Sequence, residues 1–376
     1  MRAMEWNKCI KIIIGSSVVF FALLISIGIG WAKTSPKNVV EDFKQAVNEK
    51  DAAALKPLLI TGDKNAPITK ASTQALLAYL RSNRSAARQV TQSLTEQAEE
   101  KNTDENAVLQ LSEDGKQFLF FKKYKLEVEP QSITASGLRE GEVLALNTSE
   151  RGILRKGNRY GPILPGSYKI KQQLTNDLGI FMKDAKISVW DQEVSLHVDS
   201  EAWMAHAKPL QKAVFDRINQ FNAEVSDWET SEYAPQKLPS ATVTFAKAQS
   251  ALRLQEFAAL KDQLLGIQSA YLGMFADPNS LAITHYGNQW NVSVDTIVSY
   301  KFGYTLKKGK AQKDASYNRG ITFRLIYDTT QKRWLVSGLT DNDITKQAAS
   351  EWPKKQQWTI DNPQLHTWGA DRGTDL

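Results

Sequence analysis

With 376 residues, of which 42% are hydrophobic, 23% charged and 9% aromatic, the chain has the composition of an ordinary folded protein and the length for two or three hydrophobic cores. A single cysteine, Cys9, and four histidines exclude a disulfide framework and a cysteine-rich zinc site. Lys and Arg number 47 against 41 Asp and Glu, a formal net charge of +6 that matters only where it is concentrated.

The first feature in chain order is an uncharged run of 21 residues from Ile12 to Ala32, which as a helix spans the hydrocarbon of a bilayer. Arg2, Lys8 and Lys11 precede it against the single Glu5, so residues 1–11 are expected in the cytoplasm and the chain from Lys33 outside it. A cleaved signal peptide is the alternative, with Gly30-Trp31-Ala32 as the cleavage site, but the apolar run exceeds the length of a usual signal-peptide core. Either reading exports the body of the protein and removes nucleic acid as a partner.

Ser35-Pro36 reads as a cap followed by a first-turn proline, and Val39, Val40, Phe43 and Val47 repeat with helical spacing. A second helix restarts at Asp51 and is interrupted by Pro57, and Leu76, Leu77, Leu80, Val90 and Leu94 continue the helical period. Residues 35–114 are therefore expected to form a small helical domain that includes a polar loop, Glu99 to Asn106. The period then changes to two. Tyr124, Leu126 and Val128, then 143–146, 168–171, 187–190 and 194–198 are strand candidates, which makes 115–204 a β-rich, sandwich-like region.

From Ala207, Val214, Ile218, Phe221 and Val225 share a helical face, and a long helix is expected from Val243 to Leu265. Strand periodicity returns at Ala282 and continues through 290–304, 320–327 and 332–339. Helices followed by long antiparallel strands describe an α+β domain, 205–340, with a sheet curved around a cavity. Residues 341–376 read as a polar tail containing Trp352, Trp358 and Trp368, which either pack back on the neighbouring domain or stack on sugars or a membrane interface.

The segments DFKQAVNEKDAAALKPLL (42–59), ALLAYLRSN (75–83), YKLEVEP (124–130) and YGPILPGSYKIK (160–171) together resemble the TcaA/YvbJ family of membrane-anchored envelope proteins of Gram-positive bacteria. Farther on, YLGMF, NQWNVSVDTIVSYKFGYTL, GITFRLIYD and KRWLVSGL resemble the NTF2-like domain that ends members of that family. The resemblance implies a multidomain α+β chain with a C-terminal NTF2-like cone. It also implies a role in cell-wall homeostasis and in susceptibility to glycopeptide antibiotics such as teicoplanin. The family usually carries a cytoplasmic zinc ribbon before the anchor. Only about ten residues precede it here, so no zinc-dependent cytoplasmic function is expected.

Charge is concentrated between Lys301 and Arg324, where Lys301, Lys307, Lys308, Lys310, Lys313, Arg319 and Arg324 face only Asp314, a net +6 that equals the excess of the whole chain. Lysines 307 to 313 fall between two strands, so their ammonium groups are expected on a hairpin, able to engage the repeated phosphates of teichoic acid or anionic lipid headgroups. The structural alternative is a solvated turn that protects a sheet edge. A second basic turn holds Arg151, Arg155, Lys156 and Arg159, and Arg81, Arg84 and Arg88 are spaced as one helix face. Of the residues suited to acid-base work in the cavity, His285, Tyr286 and Asp295 are nearest in sequence, but no second catalytic group stands at a recognisable spacing, and nucleophile-elbow, phosphate-loop and metalloprotease motifs are absent.

The expectation is thus a non-enzymatic, cofactor-free, single-pass cell-membrane protein whose extracytoplasmic domains bind anionic wall polymers, with a further membrane protein as a candidate partner. An envelope-stress receptor that holds a small apolar or glycan ligand in the NTF2-like cavity is the alternative. An NTF2-like hydrolase would require a polar acid-base pair inside that cavity.

Overall fold

The computed structural model describes residues 35–100, 107–117, 121–190, 193–309 and 311–369. The expected membrane helix at 12–32, Cys9 and Lys310 lie outside these residues. Among the described residues no helix is long and apolar enough to cross a membrane. The chain forms two compact units, one of residues up to 176 with 182–198, the other of 177–181 with 199 onward.

In the first unit, helix α1 (Pro36–Glu49) starts on the Ser35 hydroxyl, which accepts from the Asn38 N–H, and ends on Lys50 in the left-handed region. Helix α2 (Ala52–Leu55) is capped by the Asp51 carboxylate, which accepts from Ala53 and Ala54 N–H at 2.8 and 3.0 Å. Pro57 lies in a single 3-10 turn that hands the chain to the two-residue strand β1 (Leu59–Ile60). Helices α3 (Lys70–Ser82) and α4 (Arg84–Ala98) are separated at Asn83, whose side chain accepts from Ala86 N–H and caps α4.

The helices do not close a core by themselves. Strands β2 (Leu109–Gln117) and β3 (Phe121–Val128) form a sheet with β1, and Leu109, Leu126 and Val128 fill the space between Phe43 of α1, Leu76 and Leu80 of α3 and Leu94 of α4. Phe43 and Leu126 are fully buried. A helical domain ending at 114 is therefore corrected: the strands begin at Leu109 and share the helices' core, because amphipathic helices this short need a further apolar surface to cover their buried face.

The remaining strands of this unit form two small sheets. In one, β4 (Gln131–Ser136) lies between β7 (Arg159–Ile163), whose other edge carries β6 (Arg155–Lys156), and a parallel partner, β10 (Glu193–His197). In the other, β8 (Gly166–Asn176) lies between β5 (Val143–Asn147) and β9 (Gly179–Val189). Tyr160 joins the two, fully buried with its hydroxyl donating to the Leu144 carbonyl at 2.7 Å. Helix α3 lies directly on the start of β8, where a Cβ at Gly166 would stand 2.5 Å from the Ala75 carbonyl carbon.

The second unit opens with α5 (Ser200–Ala205) and continues with α6 (Lys208–Glu229) and α7 (Val243–Leu260). Its sheet has eight strands: β11 (Leu264–Ala276), β12 (Ala282–Tyr286), β13 (Gln289–Leu306), β14 (Gln312–Asp314), β15 (Tyr317–Asp328), β16 (Arg333–Asp341) and, beyond α8 (Lys346–Ser350), β17 (Gln356–Thr359) and β18 (His366–Gly369). The main order is β16-β15-β13-β11-β17; β12 and β14 pair with β13, and β18 with β11. Leu210, Val214, Phe215, Ile218 and Phe221 form the buried face of α6.

Two expectations are corrected here. The helix from Val243 stops at Leu260, and after a turn of 3-10 helix Leu264 already belongs to β11, whose nearly continuous apolar residues carry no alternation to mark a strand. The tail is part of the sheet: β17 and β18 pair with the free edge of β11, Trp358 meets Phe215 edge-on at 5.7 Å, and Trp368 meets Phe257 at 4.9 Å.

Gly166→Ala is expected to weaken the seat of α3 by roughly 1–3 kcal/mol, the usual cost of overpacking. Hydrogen exchange of the α3 amides checks this: exchange should quicken, and an unchanged rate would show that α3 and β8 do not approach so closely.

Candidate functional site

The sheet of the second unit leaves a cavity of about 380 Å³ beneath the last two turns of α6 and the middle of α7. Alternate residues of β13 and β15 face it, Val298, Tyr300 and Phe302 from one strand and Tyr317, Arg319, Ile321 and Phe323 from the other. Helix α6 contributes Asn222, Val225 and Glu229, which the helical period places on one face. The walls are mainly aromatic and aliphatic, and the polar groups converge at one end, the arrangement usual for a small-molecule site.

Glu229 stands at that end. Ser269 Oγ donates to Oε2 at 2.6 Å and the Tyr317 hydroxyl to Oε1 at 3.4 Å. Its side chain is removed from bulk water but keeps some surface open to the cavity. Burial pushes its carboxyl up to about 7, against the opposing pull of these two hydrogen bonds and of the Arg253 and Arg319 charges. Tyr300 is fully buried, its hydroxyl shared between the Asn222 carbonyl at 3.1 Å and Oδ1 at 2.8 Å, and burial holds its ionisation well above the usual tyrosine range. Tyr317 lies stacked on Tyr300 with centroids 5.2 Å apart, and burial raises its ionisation too.

Both arginines of the cavity are engaged. Arg253 pairs with Glu256 at 2.7 Å, and Arg319 makes a bidentate pair with Asp341 through Nε and Nη2. The ion pair with Arg319 lowers the Asp341 carboxyl. The site can therefore exchange a proton with a bound molecule near neutral pH, or hold a donor or cation on the Glu229 carboxylate. Among the described residues no group of acidic, histidine and cysteine side chains is arranged to hold a metal ion.

The expected acid-base residues lie elsewhere. Asp295 accepts from the Thr322 hydroxyl at 2.6 Å, the His285 ring packs on Trp290 at 4.5 Å, and Tyr286 is 85% exposed. None of the three lines the cavity. Glu229 escaped notice although the apolar stripe Ile218, Phe221, Val225 reaches it with one further step of four, a carboxylate where the face asks for an apolar side chain.

The basic segment is not one patch. Lys307 and Lys308 are exposed in the turn between β13 and β14, and Lys313 is exposed on β14 opposite Tyr304. Lys301 is half-buried on β13, while Arg319 turns to the cavity and Arg324, five residues along the same strand, lies on the other face with Nη2 donating to Thr340 Oγ1 at 3.3 Å. In the first unit Arg151 donates to the Asn65 carbonyl at 2.8 Å and Arg155 to the Gly157 carbonyl at 2.7 Å. Lys156 and Arg159 border a groove of about 460 Å³ that also holds Asp63, Glu127 and Glu129, so their charge is opposed locally. Arg81 belongs to α3 and Arg84 and Arg88 to α4, so the break at Asn83 divides the expected single stripe.

A helical layer over a curved antiparallel sheet that encloses an apolar cavity with one polar end defines an NTF2-like unit, here at the end of a multidomain α+β chain. The sequence matches the family model described as the TcaA protein second domain over residues 36–128 and that described as the YvbJ NTF2-like domain over residues 214–340. It is 28% identical over 173 residues to a protein of Bacillus subtilis (strain 168) named uncharacterized membrane protein YvbJ; the match spans 45% of this chain and 28% of the relative's length. The chain belongs to the TcaA/YvbJ family.

Because folding raises the Glu229 ionisation from 4.5 to about 7, the native state holds a proton that the unfolded chain has lost, and stability falls as pH rises through that interval. The loss is on the order of 3 kcal/mol. Glu229→Gln should remove this slope, leaving the variant about as stable as the parent at the acid end and more stable above about pH 7. Melting temperature against pH for the two proteins measures it, and parallel curves would refute it.

Proposed function

We propose that the chain is a membrane-anchored, extracytoplasmic envelope protein that binds anionic wall polymers, teichoic acid foremost, through the turn between β13 and β14. Lys307, Lys308 and Lys313 carry the reading: all three are exposed, and none pairs with a carboxylate among the described residues. Flexible ammonium groups grouped on a turn suit a polymer of repeated phosphates, where several weak contacts sum without a fixed geometry. The uncharged run 12–32 and the membrane protein named among the relatives support the anchor, with the N-terminus cytoplasmic. In this reading the chain acts by binding and not by catalysis, and it influences wall homeostasis and glycopeptide susceptibility by organising the polymer.

The cavity beside Glu229 favours a second reading, a receptor in which the NTF2-like unit also takes up a small ligand.

Replacing Lys307, Lys308 and Lys313 together by Gln is expected to weaken sedimentation with isolated cell walls roughly 100-fold, at about 1 kcal/mol for each lysine near an anionic surface, and to flatten the salt dependence. Walls stripped of teichoic acid should no longer distinguish variant from parent. Unchanged binding by the triple variant would refute the reading.

A further inference from the structure

The charges around the cavity do not balance once Glu229 is ionised. Arg253 is matched by Glu256 and Arg319 by Asp341, so neither guanidinium is left for an anionic ligand, and the Glu229 carboxylate is one negative charge in excess. Ser269 and Tyr317 give each carboxylate oxygen one donor. An ionised carboxylate has about four acceptor positions, so room remains for a donor from the cavity. A buried carboxylate with an unfilled acceptor side and no matching cation is costly, and a bound cation would remove that cost.

The walls define the rest of the ligand. The aromatic faces of Tyr300 and Tyr317 lie beside the carboxyl and favour a positive charge near them. Val225, Phe302, Ile321 and Phe323 offer no polar side-chain atom, so the body of the ligand is apolar. A volume of about 380 Å³ falls at the small end of ligand pockets.

We propose that this cavity binds a small organic monocation, an ammonium group on a compact apolar body, with Glu229 as its counter-ion. The proposal rests on the receptor reading above and specifies the ligand class for it. The other groups facing the carboxyl keep their state near neutrality: Tyr233, Tyr300 and Tyr317 are held protonated by burial, and Arg319 remains fixed on Asp341, with Arg253 and Glu256 paired on α7. The cation is therefore held above the Glu229 ionisation and released as Glu229 takes up a proton below it.

The test uses the full-length protein and three probes that share one body, phenethylamine, phenethyl alcohol and phenylpropionate, with dissociation constants from saturation-transfer NMR across a pH series. Phenethylamine should bind at least about tenfold more tightly than the other two above about pH 8, and the preference should fade below about pH 6. Glu229→Gln should abolish the preference while leaving the affinity for phenethyl alcohol unchanged, which also reports that the cavity is intact. Should that variant not fold, the pH series on the parent protein decides alone. Equal affinity for the three probes, or an amine preference that does not vary with pH, overturns the proposal and leaves the receptor reading standing; binding of none of them overturns both.

Discussion

The second unit depends on a bend in one strand. A flat sheet would press its whole apolar face against α6 and leave no cavity, whereas β11 is bulged between Tyr271 and Gly273, and bulges sharpen the bend and twist of a strand. Gly273 is obligatory there: with φ at +131°, a Cβ would stand 2.1 Å from the Trp358 carbonyl oxygen. Residues after the bulge pair with β17 and residues before it with β18, so the same kink that opens the cavity divides the free edge of β11 into two seats for the end of the chain. Occupying that edge also protects it from pairing with other chains.

Once the cavity exists, its polar end is governed by the cost of removing a carboxyl from water. Two hydrogen bonds and two arginines lower that cost for Glu229 without abolishing it, which is why its ionisation rests near neutrality. The contrast within the same unit is Asp341, whose carboxyl is met by both nitrogens of a guanidinium fork and is lowered. Strand β13 carries both functional features, Tyr300 on the cavity wall and, just past its end, Lys307 and Lys308 in solvent. A cavity that takes one small molecule and a turn that takes a polymer are chemically independent, and the long strand holds each in place.

Elements with one exposed face were legible before any coordinates. The spacing of Val39, Val40 and Phe43 marks α1, and alternation marks β13 and β15, because in each the partition between core and solvent is written into the side chains. Strand β11 was not legible. It is paired on both edges and covered by α6, so it has no polar phase, and its first residues extended the helical reading of the preceding segment. The tail looked polar because β17 and β18 expose every other residue and bury only indoles such as Trp358 and Trp368 against the unit. Arg319 and Arg324 looked alike in a count of charge, and only strand phase separates the cavity from the opposite face. Glu229 was missed because its partners Ser269 and Tyr317 lie 40 and 88 residues away, beyond any local motif.

The central claim is that the cavity contains a carboxyl that gains and loses its proton near neutral pH. Infrared difference spectroscopy of the protonated carboxyl band across a pH series, with Glu229→Gln to assign the band, tests it most directly. The account requires a band absent from the variant whose intensity halves at about pH 7. Disappearance of that band at about pH 4.5, the ordinary value for a solvated glutamate, would contradict it.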